Sequence, residues 1–386
     1  MFNFFRERLM KIQGKSPCLT SAFINTMGSA CTNRCYMCPL RTFEGYNTIM
    51  SENTFKKIIA QLKEINFSGE LHFYSQDEPF LDKKIIEKVH YAKREMPNIK
   101  PVIITNFTML TEDKIQLVLS APISYFSCSL YALKKENYEK ICGRDNFNKA
   151  FINQIKFIKE FAKTEPFSFG LYLMNDVHNQ DDIEFCKYFL QEIAPVSLIK
   201  FYETFRLFNT PLKLRHNSGF INHCIYDRVQ FTNDVGDVSL CSIDAGNKMK
   251  IGTINKDNAA LKELINSGKA VEIRRRMLKN KSKEAYCRYC EFGKYENKLL
   301  YFLPIPEKAK RFLNNRFTDS YKNEYASIRF NKKQILERLS LFNEIFKDGK
   351  TEDEWLNALK ELREDFYKNK INLYKNNWGS NVKVKI

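Results

Sequence analysis

Three cysteines lie close together near the start of the chain. Cys31, Cys35 and Cys38 occur in the segment CTNRCYMC, spaced four and three residues apart. Thiolates are the usual ligands of iron–sulfur clusters, and a cubane has four irons, so three cysteines on one loop leave one iron without a protein ligand. Such an iron can bind a small molecule. The spacing therefore predicts a metal centre that takes part in chemistry.

The alternatives for this loop are a zinc site or three incidental cysteines. Structural zinc usually takes four protein ligands, with the paired ligands two residues apart. The chain has eleven cysteines, and its first residues, Met1 to Lys11, lack the pattern of a signal peptide. We therefore expect a cytoplasmic protein whose clustered thiols hold metal instead of forming disulfides.

A second set of cysteines lies further along the chain, at Cys224, Cys241, Cys287 and Cys290. Four thiolates can saturate a cubane, which would make this cluster an electron carrier. The same four ligands could bind structural zinc. The presence of the first set favours iron–sulfur for both. The other cysteines are expected to be small buried hydrophobes.

Alternating short strands and amphipathic helices must position these loops. The predicted strands are Ala22–Met27, Glu70–Tyr74, Val102–Thr105, Ile123–Leu130, Phe167–Leu173 and Ser197–Phe201. The predicted helices are Glu52–Ile65, Lys83–Arg94, Glu112–Leu119, Asn148–Ala162 and Gln180–Ile193. Six such units form an α/β partial barrel or an open doubly wound sheet. In both folds, ligands gather at the carboxyl ends of the strands.

Changes in pattern divide the chain into four predicted regions. Residues 1–20 form an amino-terminal extension, 21–214 the α/β core, 215–300 a cysteine-rich domain and 301–386 a helical tail. In the tail, Thr351 to Glu354 form a capping box before an apolar stripe, which predicts a packed structural helix.

A CxxxCxxC loop after the first strand of a six-unit β/α domain resembles the radical S-adenosylmethionine (radical SAM) superfamily, over roughly residues 22–293. In that family, the amino and carboxylate groups of S-adenosylmethionine (SAM) chelate the open iron. One electron then cleaves the cofactor, and the resulting 5′-deoxyadenosyl radical abstracts hydrogen. The resemblance implies a partial (β/α)6 TIM-like barrel, a [4Fe–4S] cluster on the three cysteines, and SAM.

The resemblance also implies residues that contact SAM. Met37 resembles the apolar position that meets the adenine. Glu78, in the segment SQDEP, is similar to the glutamate that receives the amino group, although Gln76 and Asp77 stand where glycines are usual. Asn106, in the segment TNFTML, resembles a position near the ribose.

Two further positions resemble those that hold the cofactor carboxylate. Ser129 matches a serine at the end of the fourth strand. Cys142 stands where an arginine is usual, and Arg144, two residues later, is the candidate replacement.

The second cysteine set resembles the SPASM/twitch extension of radical enzymes. The chain after Cys290 has no further cysteine, which fits the shorter twitch form with one auxiliary [4Fe–4S] cluster. Members similar to aminocyclitol dehydrogenase are the better match. The resemblance implies oxidation or epimerisation of a sugar, cyclitol or nucleotide derivative, with the auxiliary cluster as electron relay. Asp244 is a candidate base by its position after Cys241.

Net charge and hydropathy limit the kinds of partner that we expect. The net charge of +17 is spread along the chain without a dense basic block, which favours an ordinary solvated surface, and it would also suit an anionic small substrate. A reductant such as flavodoxin or ferredoxin is implied. The sequence has no apolar run of eighteen residues, so no membrane span is expected.

Two other functions compete with this interpretation. One is modification of a ribosomally made peptide, although only about twenty residues precede the first strand, too few for a peptide-recognition domain. The other is a zinc-bearing binding protein, for example for RNA. Clustered arginine and aromatic stacking motifs, which RNA binding favours, are missing from the sequence, so nucleic acid is not an expected partner.

Overall fold

The computed structural model describes residues 19–38, 48–194, 196–203, 228–242, 244, 248–255, 260–278 and 327–369. These residues form two compact units. The first unit holds the described residues up to 105, residues 121–125 and those between 228 and 278. The second unit holds residues 106–120, those between 126 and 203, and residues 327–369.

The first unit is built on a mixed sheet. Its strands are β1 (Ser21–Ile24), β2 (Glu70–His72), β3 (Lys100–Thr105), β7 (Arg228–Thr232), β8 (Asp237–Ser239) and β9 (Lys250–Thr253). Their order is β3-β2-β1-β7-β8-β9. Strand β1 pairs in parallel with β2 on one side and with β7 on the other, whereas β7, β8 and β9 are antiparallel. The segment that carries Cys241 therefore extends the sheet from β1.

Helices of the first unit cover one face of this sheet. They are α1 (Glu52–Glu64), α2 (Ile85–Glu95), α7 (Leu261–Leu264) and α8 (Gly268–Leu278). The side chain of Ser51 caps α1 by accepting a hydrogen bond from the amide of Thr54. The ring of Phe55 on α1 lies 6.4 Å from that of Phe73. The alternation within the strands therefore sends one set of side chains toward α1 and leaves the other set on the opposite face.

The second unit contains the remaining strands, β4 (Tyr125–Leu130), β5 (Ser168–Asn175), β6 (Leu198–Glu203) and β10 (Ser327–Arg329). Strands β5 and β6 are parallel, and β10 is antiparallel to β6. The helices are α3 (Glu112–Ser120), α4 (Lys135–Cys142), α5 (Phe147–Thr164), α6 (Ile183–Tyr188), α9 (Lys332–Ile345) and α10 (Glu352–Lys368). A π-helical turn, Phe189–Ile193, continues α6. The predicted single helix Gln180–Ile193 is thus shorter and ends in a wider turn.

Aromatic side chains fill the core of the second unit. The ring of Phe157 on α5 lies 4.9 Å from that of Phe126 and 5.0 Å from that of Phe169, and Phe107 packs edge-on against Phe157 at 5.3 Å. Buried aromatic side chains contribute large apolar areas and favour such tilted contacts. This packing fixes α5 against β4 and β5.

The predicted tail helix is confirmed as α10. The side chain of Thr351 accepts from the amide of Glu354, and the Glu354 carboxylate accepts from the Thr351 amide, which completes the capping box. Trp355, Leu359 and Phe366 are buried. Among the helices that the structure describes, none has the length and apolar character to cross a bilayer.

We expect Gly69→Ala to destabilise the first unit. A Cβ atom on Gly69 would lie 2.1 Å from the carbonyl oxygen of Thr20. Because that contact is with backbone, relief requires a shift of β1 or β2, at a cost of about 1–3 kcal/mol. Urea unfolding measures the loss. Gly268→Ala is the matched control, since a Cβ there meets nothing within 4 Å. Equal stability of both variants would contradict the expectation.

Candidate functional site

The loop of the first cysteine set begins directly after β1. Gly28 adopts a positive φ of 65°, a conformation that favours glycine, and the amide of Ala30 donates to the Met27 carbonyl at 3.1 Å. The amide of Cys38 donates to the carbonyl of Cys35 at 3.0 Å. These turns place three thiols in one loop at the carboxyl end of β1.

The thiols of this loop are shielded from water. Cys35 is buried, and Cys31 and Cys38 are partly buried. Burial is the main cause that raises the pKa of the Cys31 thiol, and the neighbouring Glu78 carboxylate adds to it. A thiol in this setting stays protonated unless a positive centre compensates its charge. Metal binding supplies that compensation, since coordination deprotonates a thiol outright.

The donor set suits an iron–sulfur cluster. Within the described residues, no three His, Cys, Asp or Glu side chains converge closely enough to hold one metal ion. A cubane presents its irons at separate corners, so its three thiolates do not have to converge on a point. The loop offers soft sulfur ligands, which iron–sulfur clusters use.

Hydrogen bonds from backbone and side-chain atoms tie the segment after β2 to this loop. The amide of Glu78 donates to the carbonyl of Ala30 at 3.0 Å. The Asp77 carboxylate accepts from the amide of Met27 at 3.0 Å and from the amide of Ser75 at 3.2 Å. The predicted cofactor segment and the cysteine loop are therefore held together in the first unit.

Asp77 occupies a place where sequence comparison suggested only a departure from glycine. Its side chain supplies the acceptor that joins the end of β2 to the start of the cysteine loop. Desolvation is the largest effect on this carboxyl and raises its pKa to about 7, although the two amide donors oppose the shift. A polar residue at a position where glycine is usual was the sequence signal that could have revealed this role.

The Glu78 carboxylate is held rigidly. It is 1% exposed. Its Oε1 accepts from the hydroxyl of Thr105, at the end of β3, at 2.6 Å and from the amide of Phe80 at 3.2 Å. Met37, in the cysteine loop, is buried as well. A fixed carboxylate beside the loop can receive a cationic group without reorganising.

The remaining predicted cofactor residues lie in the second unit. The side chain of Asn106 accepts from the amide and the hydroxyl of Thr108, at 3.0 and 2.7 Å, which forms an Asx turn after β3. Ser129 lies near the end of β4 and is partly buried, and Arg144 is exposed directly after α4. The roles of these three residues stay predictions.

Cys241 is the member of the second set that the described residues include. It is buried after β8. The hydroxyl of Ser75 donates to the carbonyl of Ser242 at 2.8 Å. With its nitrogen facing these oxygens, the amide of Gln230 donates to the carbonyls of Cys241 and Ser242 at 2.8 and 2.9 Å. Cys224, Cys287 and Cys290 lie outside the described residues. Sequence reasoning missed Ser75 and Gln230, although a glutamine inside a strand was a signal.

Asp244 shapes the loop after Cys241. It is 1% exposed, and its carboxylate accepts from the hydroxyl of Ser239 at 2.9 Å and from the amides of Lys248 and Met249 at 3.0 and 2.6 Å. These bonds are those of a loop-forming carboxylate. Its assignment as a base stays a prediction.

Comparison with known families assigns both cysteine regions. Residues 25–189 match the radical SAM superfamily, and residues 224–291 match an iron–sulfur cluster-binding domain of the SPASM type. These matches confirm the predicted resemblance, the α/β fold class and the cofactors, namely a [4Fe–4S] cluster with SAM in the first region and auxiliary iron–sulfur in the second. They support an iron–sulfur oxidoreductase.

One curated relative is the S-adenosyl-L-methionine-dependent 2-deoxy-scyllo-inosamine dehydrogenase of Niallia circulans, 27% identical over 124 residues, or 31% of this chain. The chain spans about half the length of this relative.

Two solved structures share the fold. Streptococcus suis SuiB bound to its precursor peptide SuiA matches with a TM-score of 0.54 and 14% identity, covering 78% of this chain and 77% of SuiB. The anSMEcpe protein with bound SAM matches with a TM-score of 0.54 and 17% identity, covering 90% and 96% of the two chains.

We expect Asp77→Asn to flatten the pH dependence of stability. The pKa of Asp77 is about 7 in the folded protein and near 4 when unfolded. The protonated side chain therefore stabilises the fold at low pH, and this contribution is lost as pH rises toward 7. Between pH 5 and 8, the wild-type free energy of unfolding should fall by about 1–3 kcal/mol relative to the variant.

Urea unfolding at several pH values measures this difference. The exposed Asp234, whose pKa is lowered by the hydrogen bonds from Ser51, provides the control variant Asp234→Asn. Parallel pH profiles of the wild type and Asp77→Asn would refute the assignment.

Proposed function

The chain contains a radical SAM domain followed by a SPASM-type iron–sulfur domain, and we propose that it oxidises or epimerises a small polar substrate after reductive cleavage of SAM. When bound, the first cluster and SAM supply a 5′-deoxyadenosyl radical that abstracts a hydrogen atom. Loss of one further electron and one proton from the substrate would complete a two-electron oxidation. The name of the curated relative, a dehydrogenase, supports this outcome.

One arrangement carries the proposal, namely the attachment of Glu78 to the three-cysteine loop. The amide of Glu78 donates to Ala30, one residue before Cys31, and its buried carboxylate is oriented by Thr105. Cys31, Cys35 and Cys38 would hold the cluster, and Glu78 would receive the amino group of SAM. A carboxylate fixed in advance loses little freedom on binding, which favours a defined cofactor orientation.

Other contacts to SAM are proposed from the family resemblance. Met37, buried in the loop, would pack against the adenine. Asn106 would lie near the ribose. Ser129 and Arg144 would hold the cofactor carboxylate, with Arg144 replacing the arginine that is usual at Cys142.

The second cluster would serve as the electron acceptor. Cys224, Cys241, Cys287 and Cys290 would saturate it. In the first unit, the carbonyls of Cys241 and Ser242 accept hydrogen bonds from Gln230 and Ser75, which supports a fixed position for Cys241 beside the cofactor segment. Asp244 remains our candidate for the proton acceptor. The electron that starts the reaction would come from a flavodoxin or ferredoxin.

The substrate class separates this proposal from peptide modification. The SuiB structure contains a bound precursor peptide, SuiA. The curated relative instead acts on a small cyclitol amine by its name. We favour a sugar, cyclitol or nucleotide derivative. Transfer of deuterium from a labelled small substrate into 5′-deoxyadenosine would support this class, whereas transfer from a labelled peptide alone would overturn it.

We expect separate replacement of Cys31, Cys35 and Cys38 by alanine to abolish SAM cleavage. Each variant loses a ligand of the first cluster, so iron should fall from about eight to about four per chain. Iron analysis after anaerobic reconstitution, with chromatography of 5′-deoxyadenosine, measures both effects. Cys186→Ala is the control, since this buried cysteine lies outside both sets. Release of 5′-deoxyadenosine at the wild-type rate by any of the three variants would refute the proposal.

We expect Cys241→Ala to remove the second cluster and to leave the first cluster intact. This variant should retain about four irons and should still cleave SAM in the presence of dithionite. It should lose oxidation of the substrate, because the electron acceptor is damaged. A variant that retains eight irons would show that Cys241 is not a ligand of the second cluster.

A further inference from the structure

One face of the sheet in the first unit is lined by polar side chains. Register places Phe23 of β1 beside both His72 of β2 and Gln230 of β7. The residues two positions further along β1 and β7, on the same face, are Asn25 and Thr232. The other face carries the apolar set that faces α1, namely Ala22, Ile24, Leu71, Phe73, Val229 and Phe231. The polar side chains of these strands therefore lie on the face opposite the apolar set.

Three polar side chains of this region are buried without a hydrogen-bond partner among the described residues. Both amide atoms of Asn25 and the hydroxyl of Thr232 are unpaired, and each residue is 0% exposed. Both amide atoms of Gln76 are also unpaired, at 5% exposure. A buried polar group left unpaired is costly, and native proteins rarely keep one without a role.

Asn25 and Thr232 lie at the carboxyl ends of β1 and β7, and Gln76 lies in the segment that follows β2. The amide of Asn25 donates to the carbonyl of Phe231 at 2.9 Å, which continues the β1–β7 ladder and brings Asn25 beside Thr232. Gln76 is bracketed in sequence by Ser75, bound to Ser242, and by Asp77, bound to Met27. Its backbone is therefore held between the end of β1 and the segment after β8.

We propose that Asn25, Thr232 and Gln76 form a subsite for neighbouring neutral hydroxyl groups of the substrate. Two carboxamides and one hydroxyl can each donate and accept, as hydroxyl groups on adjacent carbons require. The three side chains bear no charge. On this face, the Lys250 ammonium group forms an ion pair with the Asp237 carboxylate at 2.5 Å. Arg228 lies at the other end of β7 from Thr232. A phosphate would need such a cation.

Asn25 and Thr232 are different side chains from those proposed to contact SAM in the first unit, which are Met37 in the loop after β1 and Glu78 after β2. The identification of the occupant as substrate rests on the proposed function. The observation that the three side chains are unpaired does not rest on the proposed function, and it can be tested separately.

Stability provides the first test. Thr232→Val and Asn25→Leu should raise the midpoint of thermal unfolding of the full, anaerobically reconstituted chain by about 1–4 °C, because an apolar group replaces an unpaired polar one. The matched controls are Thr54→Val and Asn179→Leu. Thr54 donates to Asp234 at 2.5 Å and accepts from Asn255, and Asn179 makes three hydrogen bonds. These controls should lower the midpoint. A lowered midpoint in Thr232→Val and Asn25→Leu would assign them a structural role and overturn the proposal.

Binding provides the second test, with myo-inositol as the neutral probe and myo-inositol 1-phosphate as the anionic one. Saturation-transfer NMR should detect myo-inositol on the SAM-loaded protein, and Thr232→Val and Asn25→Leu should weaken its binding at least tenfold. SAM should bind these variants within twofold of wild type. Equal or tighter binding of the phosphate, no binding of myo-inositol at 10 mM, or parallel loss of SAM binding would each overturn the subsite. Loss of SAM cleavage in the wild type would instead count against the proposed function.

Discussion

The chemistry of this protein depends on how the chain after β2 is fastened to the chain after β1. Parallel neighbouring strands end at the same edge of a sheet, but their loops leave that edge without shared backbone pairing. Here the amide of Glu78 reaches the carbonyl of Ala30, and the Asp77 carboxylate receives the amide of Met27. In the proposed function, a cluster on the cysteine loop and a cofactor held by Glu78 must lie within contact distance of each other. These two links, one between backbone atoms and one through the buried Asp77 carboxylate, hold the two segments at a fixed distance.

The two faces of this sheet bury different kinds of side chain. The face toward α1 is apolar, and it supplies the hydrophobic free energy that stabilises the first unit. The opposite face buries amides and hydroxyls, which adds little to stability and in part lowers it. The side chain of Gln230 donates to carbonyls around Cys241, whereas those of Asn25 and Thr232 find no hydrogen-bond partner in the described part of the chain. A sheet can tolerate this asymmetry because its apolar face and its ladder bonds hold the strands in place.

Particular residues show what sequence could and could not predict. Helices α1, α3, α5 and α10 follow from apolar spacing and from capping residues such as Thr351, because these signals are local. The cysteine spacing likewise predicts a cluster loop after β1, and residues 25–189 match the radical SAM superfamily. Residues 215–300 were predicted only as a cysteine-rich domain, yet their described residues include β7, which pairs with β1, and β8 and β9, which extend the same sheet. Short strands gain their stability from a distant partner, so their own sequence carries little signal. Asp77 and Gln230 were missed for the same reason, since their partners are far away in sequence.

The pairing of β7 with β1 gives the SPASM-type segment a structural reason to be part of the fold. Strand β1 leads into the cysteine loop, and β8, which runs antiparallel to β7, leads to Cys241, so pairing within one sheet positions both cysteine-bearing segments. The turn after β7 adds a second attachment. The Asp234 carboxylate accepts from the amide of Ser51, and the Asp234 carbonyl accepts from the hydroxyl of Thr54, at the start of α1. Helix α1 in turn packs under β2 through Phe55 and Phe73. A shift of the Cys241 loop would therefore strain the sheet and α1 together, which makes the distance between the two loops a property of the whole unit.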